Sequence, residues 1–594
     1  MSTTPQKKRF DTRLLFRILS LAKPYQVYFT IAAVLAVVVA PLSSLRPYLI
    51  QQMVDEHIFK QDVQGMTTMV MLLIGLLIVE VALLYTFNFL TSWLGQSVIR
   101  DLRVRVFKHI SSLNLSYFDK TPIGTSTTRT ISDIETINSV FSEGIMTIIA
   151  DLLTVLVVLC IMFFTSWKLT LVCMTVLPLL IFGARWFKNE VAKSFQTVRN
   201  EVARMNAFLQ EHISGMRIVQ IFNAENQERD KFKQINRSYT GANLKAIFAY
   251  AVFFPIVEIV SAAALGLMVW YGAKGVIQNH ITLGVLVAFP VYLNMLFRPI
   301  RMLADKFNVL QMGMVAAERV FQLLDDTNNI EKTGTQNAQI LRGGDIEFKD
   351  VNFAYTKGNY VLKNVSFKLK AHQTLAIVGS TGSGKTTITS ILNRFYDIQS
   401  GEITIGGTDI RAFELQSLRN RIAVVLQDVF LFSGSVYENI TLRDTTISKE
   451  KVMDCAKIIG AHDFIMRLPG GYDYQVMERG ATLSMGQRQL ISFVRALVFD
   501  PDILILDEAT SSIDPETEGV IQFAIEKLIA KRTSIIIAHR LSTIRHANNI
   551  LVMDKGEAIE FGTHQKLLQI ENGRYRELYE MQFATVASPS GEPV

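Results

Sequence analysis

Six apolar runs crowd the first half of this 594-residue chain, at about 27–50, 67–94, 145–166, 169–187, 247–277 and 282–300. A helix crosses a hydrocarbon layer of about 30 Å in roughly 20 residues, and these runs are of that order. Buried core helices of a large soluble protein are the alternative, and six in succession argue against it. Pro41, Pro178, Pro255 and Pro290 fall inside the runs, which is tolerable where neighbouring helices satisfy the freed carbonyls. Hydrophobic residues reach 49% beside 19% charge, with a mean hydropathy of +0.26. Such a combination implies segregation of a membrane part from an ordinary globular part. The first run starts near Tyr28, too late for a short signal core and without a small-residue cleavage site, so it is expected to be retained. Cys160, Cys173 and Cys455 are the only cysteines, so a disulfide framework or cysteine metal site is not expected.

The net charge of +7 is expected to face a membrane surface rather than nucleic acid, because basic residues flank the apolar runs. Lys7, Lys8, Arg9, Arg13, Arg17 and Lys23 precede the first run, against Asp11 alone. The first short loop carries Asp55, Glu56 and Asp62 against Lys60, and the second opens with Arg100, Arg103, Arg105 and Lys108. Positive-inside orientation then places both chain ends and the two long loops in the cytoplasm of a cell-membrane protein. Leu14, Leu15, Ile18 and Leu21 have helical spacing, as in a helix lying on the inner surface.

Segments 95–144 and 188–246 have mixed charge and helical periodicity, so the membrane helices are expected to extend into the cytoplasm. Turns are expected near Gly124 and between Asn206 and Gly215, with tips that either touch a cytoplasmic domain or stand in solvent. Glu80, Asp151 and Glu258 interrupt apolar runs. A charge at mid-depth costs on the order of 3 kcal/mol, so such acids line a wet cavity favouring cationic cargo, or hydrogen-bond in protonated form.

The expected layout is a cytoplasmic start with an interfacial helix (1–26), a six-helix transmembrane domain (27–324), a polar linker (325–344), a nucleotide-binding domain (345–582) and a loose tail (583–594). In the second half, β-branched runs alternate with helical patterns, the mark of a sheet covered by helices. Its strongest motif is Gly379-Ser380-Thr381-Gly382-Ser383-Gly384-Lys385-Thr386, a phosphate loop lying between an apolar strand and a helix. Glycines let backbone N–H groups wrap phosphates, Lys385 reaches the β- and γ-phosphates, and the Thr386 hydroxyl holds Mg²⁺. The run 503–506 is wholly apolar and ends in Asp507 and Glu508, as in a central parallel strand whose exit meets the ligand. Asp507 is expected to coordinate Mg²⁺ and Glu508 to polarise the attacking water; alone, the pair would be an ordinary helix start. His539 follows another apolar strand, where it stabilises developing charge or is merely structural. Gln427 suits a Mg²⁺ or water contact, or is a plain surface amide. Tyr355 stacks on adenine or belongs to the core.

Leu483-Ser484-Met485-Gly486-Gln487 resembles the Leu-Ser-Gly-Gly-Gln signature of ATP-binding-cassette proteins. With the phosphate loop, Gln427, Ile513-Asp514 and His539, residues 345–580 resemble that family throughout. The preceding membrane half resembles its exporter branch, the half-transporters, including loop motifs at Phe118-Asp119, Gly124, Arg129 and Asp133 and at 215–225. The resemblance implies an all-α membrane domain followed by an α/β P-loop ATPase, and a dimer sandwiching two ATP molecules. Tyr355, Lys385, Thr386, Thr387, Gln427, Asp507, Glu508 and His539 of one chain would meet Ser484, Gly486 and Gln487 of the other. Glu478-Arg479-Gly480 would contact the loop tips. Cargo would be an amphipathic drug or lipid. Met485 departs from the pattern: it fits if its φ is negative and is strained otherwise. Homodimer and heterodimer both stay open. A membrane-bound ATP sensor or ATP-gated channel is the competing class, which the intact Glu508 argues against. An importer is a further one, opposed by the fusion of membrane and cassette parts in one chain.

Overall fold

The computed structural model describes residues 11–327, 334–338, 344–507, 515–537 and 544–583. The chain divides into two compact units, one holding 1–111 and 122–327, the other 112–121 and 328–594.

The first unit is helical. It runs through α1 (Thr12–Ser20), α2 (Gln26–Gln52), α3 (Val63–Ile110), α5 (Ile123–Thr128), α6 (Ile134–Ser139), α7 (Met146–Met174), α8 (Leu177–Ser214), α9 (Met216–Ile221), α10 (Glu225–Ile277) and α11 (Leu283–Leu324); α4 (Leu115–Lys120) belongs to the second unit. At 1.5 Å per residue the 48-residue α3 and 53-residue α10 far exceed a bilayer core. Among the described residues four stretches are long and apolar enough to cross a membrane, Lys23–Ile58, Val63–Ile110, Ile123–Met174 and Glu225–Ile277, with a shorter apolar helix at Leu283–Pro299. The expected count of six is therefore not reached by this measure. The third stretch hides a reversal at Ser166, whose φ of −159° and ψ of 95° break the helix. Thr170 Oγ1 donates to the Met162 carbonyl at 2.8 Å, a gap of eight residues that would span about 12 Å in a continuous helix. The run expected at 169–187 is cut again between Met174 and Leu177, where Pro178 starts a helix whose remainder is charged.

Why these helices associate follows from their faces. Ala32, Ala36, Ala40 and Ser44 recur every fourth residue on α2 and are all buried, a stripe of small residues that lets backbones approach. Bulky neighbours such as Val34, Val37, Ile78 and Val81 point outward, as lipid-facing residues do. A larger aromatic core of Phe187, Phe253, Phe289, Tyr292 and Phe297 joins α8, α10 and α11. Asp55 accepts hydrogen bonds from Thr282 Oγ1 at 2.6 Å and from the Gly284 amide at 2.7 Å. Its carboxylate thereby satisfies donors at the α11 N-terminus and ties the 53–62 and 278–282 connections together. At the other end of α11, Arg17 of α1 grips Asp325 bidentately at 2.7 and 2.6 Å and lies 4.1 Å from the Phe321 ring. Helix α1 is capped by Asp11 and turns Ile18 inward.

The long helical arms turn at positions displaced from expectation. The first reversal occupies 111–122, so Gly124 already lies in α5; the second occupies 215–224, and Asn206 is interior to α8.

The second unit contains β1 (Ile346–Phe353), β2 (Leu362–Leu369), β3 (Thr374–Gly379), β4 (Ser400–Ile405), β5 (Thr408–Asp409), β6 (Ile422–Val425), β7 (Gly434–Ser435), β8 (Gln475–Val476), β9 (Ile503–Asp507), β10 (Thr533–Ile537), β11 (Asn549–Asp554) and β12 (Glu557–Gly562). The main sheet has the order β12-β11-β3-β10-β9-β6, parallel except at β12. Leu504, Leu506 and Ile536 face one buried cluster while Ile503, Ile505 and Ile535 face the other. Both faces are covered, which is why these strands read as unbroken apolar runs. Each such side chain, fully buried, stabilises the fold by about 1.5–3 kcal/mol. The antiparallel sheet β2-β1-β4-β5 lies over the second cluster. Within the segment expected to be linker, Gln336 donates to the Ala412 carbonyl at 3.1 Å and Ala338 is fully buried.

Candidate nucleotide site

The phosphate loop is built by a change of backbone conformation between β3 and the helix α12 (Lys385–Leu392). Gly384, the residue capping α12, has φ +101°, and a Cβ there would stand 2.7 Å from Leu362 Cδ2. Gly382 has φ +82° and open space around it. The first is needed for both conformation and room, the second for conformation. Among the described residues the amides of Gly382 and Gly384 have no hydrogen-bond partner, and the buried Ser383 hydroxyl has none either. Donors left open at a helix N-terminus form a cradle for an anion.

Lys385 is only 8% exposed. Its ammonium donates to the carbonyls of Gly379 at 2.8 Å and Ser380 at 2.9 Å. Burial lowers its pKa, and the nearby Asp507 charge pulls it part of the way back. Asp507 reaches this place through register: Ile377 pairs with Ile537, and Ile537 with Asp507. Val425 pairs with Leu506, so Gln427 leaves β6 at the same carboxyl edge as Asp507 and the loop. The Thr386 and Gln427 side chains are exposed and make no hydrogen bond among the described residues. With Asp507 they could supply oxygen donors of the kind a hard divalent cation takes. Ser380 and Thr381 complete the loop, exposed or partly so.

Tyr355 follows β1, 42% exposed, with its hydroxyl 3.2 Å from Thr387 Oγ1. Phe353 and Tyr396 meet it edge-on at 4.8 and 5.1 Å. One aromatic residue thus stands over the start of α12 with surface to offer a flat ligand. Tyr396 was not legible as a site residue. Its hydroxyl donates to Asp119 on α4, and burial together with that carboxylate pushes its pKa up.

Ser484 caps the helix Met485–Val498 with a capping box: the Gln487 amide donates to Ser484 Oγ at 3.2 Å, and the Ser484 amide donates to Gln487 Oε1 at 3.0 Å. Ser484 is exposed and Gly486 buried. Met485 is the first helical residue and keeps a negative φ, so the strain considered from sequence is absent. Arg479, by contrast, holds φ +57° in the Glu478–Gly480 turn, where Glu478 and Arg479 are exposed and Gly480 is buried. Glu508 and His539, with Ile513 and Asp514, lie outside the described residues.

Residues 29–300 match the family described as ABC transporter transmembrane region, and residues 362–511 the family described as ABC transporter. The uncharacterized ABC transporter ATP-binding protein YknV of Bacillus subtilis is 39% identical over 98% of this chain and 96% of its own length. An ATP-dependent lipid A-core flippase of Desulfotalea psychrophila is 37% identical over 94% and 97%. The probable multidrug resistance ABC transporter ATP-binding/permease protein YheH of Bacillus subtilis is 36% identical over 90% and 80%.

The chain belongs to the ABC transporter family. As an ABC transporter it is a multi-pass membrane protein of the exporter-type, half-transporter organisation, in which an ATPase domain drives transport. The acids singled out within its membrane half are engaged. Glu80 is 8% exposed and pairs with Arg46 of α2 at 3.2 Å; Asp151 pairs with Lys306 of α11; Glu258 is not free either. Glu80 and Asp151 therefore each hold a basic partner. The signal for the first pair was in the sequence, since Arg46 is itself a charge inside an apolar run.

Proposed function

We propose that this ABC transporter works as a dimer of half-transporters in the cell membrane, both chain ends cytoplasmic, exporting or flipping an amphipathic drug-like or lipid-like molecule at the expense of ATP. The observation that carries it is the joining, in one chain, of lipid-facing helices to a phosphate loop whose Gly382 and Gly384 amides are open among the described residues and whose lysine is buried beside Asp507. The relatives named for lipid A-core flipping and multidrug resistance support the amphipathic cargo.

In this reading the amides of 380–386 and Lys385 hold the phosphates, and Tyr355 holds the adenine. Lys385 exchanges two loop carbonyls for phosphate oxygens, which keeps the loop shape satisfied before ligand arrives. Thr386, Gln427 and Asp507 would hold Mg²⁺, which neutralises charge on the β- and γ-phosphates. Glu508 orients and polarises water, and His539 stabilises the charge that develops. Ser484, with Gly486 and Gln487, reaches the nucleotide of the second chain; its exposed position at a helix N-terminus suits that use. The second chain is a copy of this one or a related half. Met485 gives no ground for choosing, because its backbone is unstrained.

Reconstituted protein with Glu508→Gln is expected to lose ATPase activity by about a hundredfold or more while a closed, nucleotide-bound dimer accumulates, visible as ATP that stays with the protein through gel filtration. Undiminished hydrolysis would remove the assignment. Hydrolysis without cargo movement in vesicles would favour an ATP-sensing membrane regulator.

A further inference from the structure

The helix that begins at the phosphate loop has an uncommon ending. After α12 the Arg394 amide donates to the Ile391 carbonyl at 2.9 Å and the Phe395 amide to the Ser390 carbonyl at 3.0 Å, the pair of bonds that closes a helix on a left-handed residue. Glycine ordinarily takes that place; here Arg394 does, with φ +50°. Such a conformation is unfavourable for a residue with a side chain and persists where its neighbours over-determine it. Arg394 is 2% exposed, and its Nε donates to Asp397 Oδ1 at 3.0 Å.

Arg419, the last residue of α13 (Leu415–Arg419), holds the same turn from outside. Its Nε donates to the Asn393 carbonyl at 3.2 Å and its Nη2 to the Arg394 carbonyl at 2.8 Å. Its guanidinium also lies 5.1 Å from the centre of the Phe395 ring. Burial, and after it the Arg394 guanidinium, lower the Arg419 pKa, so its charge is held here against both. A planar fork can span two neighbouring carbonyls, which a lysine ammonium cannot do with the same geometry. The residue that follows this turn is Tyr396, whose ring meets Tyr355 edge-on. Tyr355 is thus held from both ends of α12. Its hydroxyl lies 3.2 Å from Thr387 Oγ1 near the start of the helix, and its ring rests against Tyr396 beyond the end.

We propose that Arg419 is a positioning residue for the nucleotide base: it fixes the turn at 393–395, the turn sets Tyr396, and Tyr396 sets the plane that Tyr355 offers to adenine. The inference rests on the reading of Tyr355 as the adenine contact and deepens it. Arg419 acts on the base alone, because the phosphates are gripped at the opposite end of α12 by the loop amides and Lys385.

The test is equilibrium dialysis of labelled AMP-PNP, a non-hydrolysable ATP, and of labelled inorganic tripolyphosphate, each with Mg²⁺, against the full-length protein in nanodiscs. Arg419→Lys should weaken AMP-PNP binding about fivefold and leave tripolyphosphate within about twofold of the parent. Tyr396→Leu, which keeps Arg419 but removes the edge contact, should give the same selective loss. Tyr355→Ala should weaken AMP-PNP by about tenfold, and Arg419→Lys added to it should weaken binding no further. An Arg419 that only supports the fold would weaken both ligands alike, or add its loss to that of Tyr355→Ala; either result overturns the proposal. Parent-like AMP-PNP binding by Arg419→Lys or by Tyr396→Leu overturns it too. If Tyr355→Ala alone shows the selective loss, the role of Arg419 falls and the adenine reading stands. If Tyr355→Ala binds AMP-PNP as the parent does, the adenine reading falls and the proposal with it.

Discussion

At the scale of single residues, the two glycines of the phosphate loop are not equivalent. Alanine at 382 meets nothing within 4 Å and suffers only the positive φ, whereas alanine at 384 is also forced onto Leu362. The left-handed backbone alone costs about 1–2 kcal/mol. Gly384→Ala should therefore lower the melting temperature of nucleotide-free protein clearly more than Gly382→Ala does, as scanning calorimetry would show; equal losses would contradict the packing argument. Such glycines were legible because their spacing is dictated by phosphate geometry. Arg46 beneath Glu80 was less so, since pairing across two helices depends on which faces meet, and a sequence does not display facing.

Among elements, the strands were the plainest, because burial on both faces leaves only apolar residues from 503 to 506 and from 535 to 537. The helical arms were legible as helices, but their turning points were misplaced by several residues, since polar periodicity continues smoothly across a reversal. Near the second turn, His212 joins α8 to α10. Its Nδ1 contacts the Phe208 carbonyl at 2.8 Å and its Nε2 contacts Glu228 at 2.7 Å. Those bonds raise its pKa, while Lys231 and His212 together hold Glu228 low. The histidine contribution is complete below its unfolded value of about 6.5 and is lost as pH rises through the raised folded value. The Glu228 contribution is lost only as pH falls through its depressed value. Between those limits, in mildly acidic solution, the hairpin is firmest. Hydrogen exchange of 205–230, corrected for intrinsic rates, should show protection falling from about pH 6 to about pH 8, and His212→Gln should flatten that dependence.

Across the whole molecule, the first loop tip is counted with the cassette, and Asp119 reaches the aromatic group that includes Tyr355 through the Tyr396 hydroxyl. Tyr396→Phe removes that hydroxyl and leaves the ring on Tyr355. It should keep ATP affinity within about twofold yet reduce cargo-stimulated ATPase severalfold, by about 1 kcal/mol of coupling; unchanged stimulation would assign the bond to packing alone. The tight reversal at Ser166 and the brief connections at 59–62 and 278–282, two of which Asp55 ties together, have a further consequence. With helices alternating in direction, all three emerge on one side, and none amounts to more than a few residues. An antibody, protease or labelling reagent offered from that side would find almost nothing to grasp, so tags and recognition handles belong on the opposite one.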